Sequence, residues 1–150
     1  MLRIAEIFEV DFDLDIFLGQ IVKYQESSWV IIKIFFGSCE GTSKEKIICR
    51  LVLQSTNPKE IRQDLEDYDS FYEEDCLTYT YKLGQEHPLK LGDLQRIKIN
   101  MLVEVTGIMS FVYKGDSISI TYTFNLVEPW SLKKIDKVSK QAKRRDLRLI

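Results

Sequence analysis

A mainly β fold is predicted: a small barrel of five strands, with one helix between strands three and four and another at the end of the chain. Three features predict it. Apolar and polar residues alternate over several short runs, most cleanly at 117–126. Glycines interrupt two of those runs, Gly19 and Gly107, where a small barrel bends its strands. Helical periodicity is confined to 57–70 and the region after 128.

The elements follow in order. Residues 10–16, V-D-F-D-L-D-I, put Val10, Phe12, Leu14 and Ile16 on one strand face. Asp11, Asp13 and Asp15 lie on the other, where acids block pairing at a sheet edge. The D-x-D-x-D string fails as a calcium loop. Ile16 stands where glycine must turn, and Val22 where a bidentate glutamate must ligate. Residues 17–25 and 29–36 are strands, joined into a hairpin by Glu26-Ser27-Ser28. A turn-rich loop at 37–45 leads to a third strand at 46–53. Asn57-Pro58 opens an exposed helix that runs to Ser70, with Ile61, Leu65 and Tyr68 as a narrow apolar stripe. The stretch 71–95 is irregular apart from a short strand at 77–83. One strand spans 96–113, a tight turn covers 113–116, and the last strand buries Ile118, Ile120, Tyr122, Phe124 and Leu126. Glu128-Pro129 opens the final helix. Its apolar side carries Leu132, Ile135, Val138, Ala142 and Leu149, and Lys133, Lys137, Lys140, Arg144 and Arg148 lie opposite.

Three strands, a helix and two strands is the order of an oligonucleotide/oligosaccharide-binding (OB) barrel, with another small barrel or sandwich as the alternative. The predicted division is an OB-fold domain at 1–128 with an acidic insertion at 57–88, then a basic amphipathic helix at 129–150.

Composition narrows the function. A hydrophobic share of 45% over 150 residues supports one packed core and excludes disorder. No apolar run is long enough to span a bilayer, and the acidic start lacks a signal peptide's basic flank. Cys39, Cys49 and Cys76 are odd in number and widely spaced, which suits a reducing compartment and neither a disulfide framework nor a zinc site. His87 is the single histidine, so the chain is expected to be no enzyme and to hold no metal or cofactor. The net charge of −2 is unevenly spread. Residues 131–150 carry eight Lys/Arg against two Asp, whereas 57–76 carry eight acids against two bases. Attraction to phosphate must therefore be local.

The runs G-Q-I-V-K-Y-Q-E-S-S-W-V-I-I-K-I (19–34), Gly37-Ser38 and I-I-C-R-L (47–51) resemble the first three strands of the Stn-type subunit of the CST telomere complex. L-G-D-L-Q-R-I-K-I (91–99) and G-I-M-S-F-V-Y-K-G-D-S-I-S-I (107–120) resemble the last two. The pattern is also similar to the middle subunit of replication protein A, and the resemblance covers 10–128. It implies a nuclear, non-catalytic subunit that pairs through its C-terminal helix with a smaller OB-fold subunit. It also implies a complex that holds single-stranded DNA, with room for a third, larger subunit.

The residues themselves suggest where. Trp29, Ile31, Lys33 and Phe35 alternate along the second strand, and Lys46, Ile48, Arg50 and Val52 along the third. Flat rings beside cations suit base stacking and phosphate contact, and these two strands are where OB barrels usually lay oligonucleotides. The expected contact set is Trp29, Lys33, Phe35, Lys46 and Arg50, with Tyr113 and Lys114 at its rim; packing of Trp29 and Phe35 is the alternative. Leu132, Ile135, Val138 and Ala142 are expected to dock a partner, unless the stripe folds back on its own barrel. A basic arm on nucleic acid and a nuclear address at Lys143-Arg144-Arg145 are further readings of the same helix. Two functions compete: weak binding of single-stranded DNA within an assembly, and a protein-only adaptor of a genome-maintenance complex. An enzyme would need a convergent acid, base and supporting groups, and the sequence offers none.

Overall fold

The computed structural model describes residues 1–7, 16–36, 49–69, 76–98, 101–142 and 147–148. It is mainly β: nine strands and two helices among the described residues, with the strands in two curled sheets. The chain divides into two compact units, one formed by Met1–Asp69 with Pro129–Ile150 and the other by Ser70–Glu128.

The first unit holds β1 (Arg3–Ile7), β2 (Ile21–Tyr24), β3 (Ser27–Phe36) and β4 (Cys49–Ser55), with helix α1 (Pro58–Asp69). Its sheet runs β1-β4-β3-β2 and ends on a two-residue strand at Leu147–Arg148. The hairpin loop is Gln25-Glu26, one residue earlier than expected, and both residues have positive φ (48° and 64°). The strand expected at 10–16, with its acidic string, lies outside the described residues but for Ile16, and the first described strand is Arg3–Ile7. One sheet face carries Ala5, Val22, Trp29, Ile31, Cys49, Leu51 and Leu53 as a core. The opposite face is also buried along Val30, Val52 and Gln54, because α1 lies against β4 and the final helix against β2. Asn57 caps α1 by accepting the Lys59 N–H at 3.0 Å, and Pro58 takes the first helical position.

The second unit is an antiparallel sheet ordered β5-β8-β7-β6: β5 (Cys76–Lys82), β6 (Leu94–Ile97), β7 (Met101–Lys114) and β8 (Ser117–Leu126). The single strand expected over 96–113 is a hairpin, since β6 ends at Ile97 and turns back into β7. Lys98, with φ of 43°, marks the turn. Gly107 sits at a register shift between β7 and β8, as a bend requires. A Cβ there would lie 2.8 Å from the Thr123 hydroxyl. In β8, Ile118, Ile120 and Tyr122 are buried as their alternation predicts.

The final helix, α2 (Leu132–Ala142), starts after Pro129 rather than at it: the Ser131 hydroxyl accepts the Lys134 N–H at 3.3 Å. The helix ends at Ala142, short of the expected 150, and β9 (Leu147–Arg148) then pairs parallel with β2.

Candidate nucleic-acid interface

The predicted stacking face on β3 is divided by one inserted residue. Ile31 faces Leu53 across the ladder, yet Lys33 faces Val52, so Ile32 is a bulge. A bulge reverses the alternation beyond it. Trp29 and Ile31 point into the core with Leu51 and Leu53, and beyond the bulge Ile34 joins them. Lys33 and Phe35 emerge on the other side, in line with Val52 and Arg50.

This corrects the assignment of Trp29 to an outward face. The ring is only 7% exposed. Its indole N–H donates to the Tyr24 carbonyl at 3.0 Å, and the Arg3 guanidinium lies 5.4 Å from the ring centroid. Lys33, Phe35 and Arg50 remain together and half-buried, with groups of this chain around them. The Lys33 ammonium lies 5.0 Å from the Phe35 ring centroid, and the Arg50 Nε donates to Glu6 at 3.0 Å. Lys46 lies outside the described residues.

Tyr113 and Lys114 stand in the second unit, at the tip of the β7–β8 hairpin, and both are exposed. Directly paired residues of an antiparallel ladder share a face. Three rows therefore cross the sheet: Tyr81–Ile118–Tyr113, Tyr79–Ile120–Phe111 and Leu77–Tyr122–Ile108. The middle members are buried. On the β7 side Tyr113 is 71% exposed and Phe111 54%. Two rings thus project from one strand face two residues apart, about 7 Å along the strand, with Lys114 next in the chain. Phe111 was missed by sequence reasoning, although its i, i+2 spacing from Tyr113 was available. Tyr79 and Tyr81 pack inward, their ring centroids 6.4 Å apart, and the Tyr122 hydroxyl donates to the Tyr81 oxygen at 3.3 Å. Burial, then the contact with Tyr81, pushes the Tyr122 phenol well above the ordinary range. The opposite face is a hydroxyl ladder: Thr78 with Thr121 at 2.9 Å, and Thr80 with Ser119 at 2.8 Å.

The apolar stripe of α2 is used by the chain itself. Ile135 is 1% exposed, Leu132 and Val138 are half-buried, and the side chain of Ala142 is not described. Gly19, with φ of +85°, lets the chain pass close to Val138 and the Trp130 ring. The buried Gln54 amide fixes the helix entry, accepting the Trp130 N–H at 2.7 Å and donating to the Trp130 carbonyl at 3.0 Å. Of the two fates expected for the stripe, the structure shows folding back. A docked Ile135 is not available to a partner.

Among the described residues no cluster of three His, Cys, Asp or Glu side chains has metal-ligand geometry, and no helix is long and apolar enough to cross a membrane. No family model, curated protein or solved structure matches this chain.

Proposed function

We propose that this chain is a non-catalytic OB-fold subunit of a nuclear complex that holds single-stranded DNA, working with a smaller OB-fold subunit. The observation that supports it is the exposed pair Phe111 and Tyr113 on one face of β7, followed by Lys114. Unstacked bases bind such rings whatever their sequence, at about 1–3 kcal/mol per base. The contact surface is therefore the β7 rim rather than the β3 face around Trp29. The acidic character of the chain outside its last twenty residues keeps the affinity of the isolated subunit low.

The test is a titration of the full chain with labelled single-stranded and duplex DNA. The single strand is expected to bind more tightly. Phe111→Ala combined with Tyr113→Ala is expected to weaken it by about tenfold or more, with little effect on duplex. Equal binding by wild type and double variant overturns the assignment.

A second reading has its own observation. Ile108, Met109 and Val112 are 44%, 62% and 45% exposed, and Val112 shares the hydroxyl face rather than the ring face. Apolar groups on both sides of one strand suit a protein partner. A partner that survives nuclease treatment, is lost on Val112→Lys, and is held by a chain without DNA affinity would establish the adaptor instead.

A further inference from the structure

With Ile135 buried, the opposite side of α2 is turned to solvent. Lys133, Lys137 and Lys140 lie within about 60° of one another around the helix and span about 10 Å along it. With Lys134 they line one shallow groove of about 860 Å³, whose wall contains a single acid, Asp136, among the described residues. Lys133, Lys137 and Lys140 make no ion pair among the described residues, although acids outnumber bases in the whole chain. Lys134 instead sits over the Trp130 ring, 3.8 Å from its centroid, and the Gln54 clamp holds that ring's backbone in place.

We infer that the lysine face of α2 is a binding site for the phosphate backbone of nucleic acid, indifferent to base identity. A row of ammonium groups about 10 Å long fits a polyanion better than a single phosphate. An anionic bilayer is disfavoured, because an interfacial helix inserts its apolar stripe and here that stripe is packed against the sheet. The inference does not rest on base stacking. Duplex DNA offers phosphates and no free bases, so it isolates the lysine face.

The experiment titrates the full chain and its K133Q/K137Q/K140Q variant with labelled duplex DNA between about 50 and 200 mM salt. Glutamine preserves helix propensity, and matched melting temperatures confirm the fold. Wild type is expected to bind with a steep salt dependence. The variant's log–log slope should be shallower by about 2–3, with affinity on the order of tenfold or more weaker at the low-salt end. Unchanged duplex affinity and slope overturn the inference. So does lysine-dependent binding of phosphatidylserine vesicles or a poly-glutamate peptide by a chain that leaves duplex unbound. An unaltered single-strand preference in the Phe111→Ala, Tyr113→Ala protein, with the duplex slope intact, removes the stacking reading and leaves this one standing.

Discussion

Gln54 shows how one side chain can hold an element in place. It is fully buried, and its amide answers both backbone groups of Trp130. Gln54→Ala leaves an N–H and a carbonyl without that partner, at about 1–3 kcal/mol for each group that stays dry. A loss of at least about 2 kcal/mol is expected in denaturant unfolding, with α2 the first segment to exchange its amide protons. Asp64 makes a different case. It is 1% exposed on the inner side of α1, and the Met1 ammonium lies against it. Burial raises its pKa above 3.8, the Met1 ammonium opposes the shift, and Asp67 and Glu60 add to it. The folded state therefore holds this proton more tightly than the unfolded chain does. The associated stability is fully present below the unfolded pKa and is lost as pH rises through the folded one. Asp64→Asn is expected to raise the melting temperature at neutral pH, with the advantage vanishing toward about pH 4. A difference that does not change with pH would show that the carboxylate does not titrate as argued.

Elements were readable in proportion to how local their causes are. Helix α1 begins at Pro58 because Asn57 caps it, and both residues are adjacent in sequence. Strand β8 buries Ile118, Ile120 and Tyr122 of the five residues its alternation selects and leaves Phe124 and Leu126 half-buried; one side of it is core and the other carries hydroxyls. The stacking face failed at Ile32, where an extra residue in the ladder is set by pairing with β4 and leaves no mark in composition. The burial of Ile31 and Val52 was likewise unreadable, because a strand covered on both faces by distant elements no longer alternates. The β2–β3 hairpin carries a correctable strain, since Gln25 and Glu26 both adopt positive φ without being glycine or asparagine. Replacing the pair by Asn-Gly is expected to stabilise the protein by about 1 kcal/mol, or about 2–4 °C in melting temperature. No gain in a thermal scan would mean the loop is held by contacts its backbone does not reveal.

At the scale of the whole molecule, charge and chain order matter more than any single contact. The sequence made plain that the last twenty residues are basic and the rest acidic. It did not show that α2 turns its lysines outward, which depends on the sheet taking Ile135. The first unit is also built from the two ends of the chain, with Ser70–Glu128 lying between them in sequence. That order has a temporal consequence. A nascent chain emerging from the ribosome exposes Gln54 and the outer side of β4 long before Trp130 exists to meet them, 76 residues later. At about 5–20 residues per second the interval is on the order of 4–15 s. During it a half-built sheet must be shielded by something other than its own final helix.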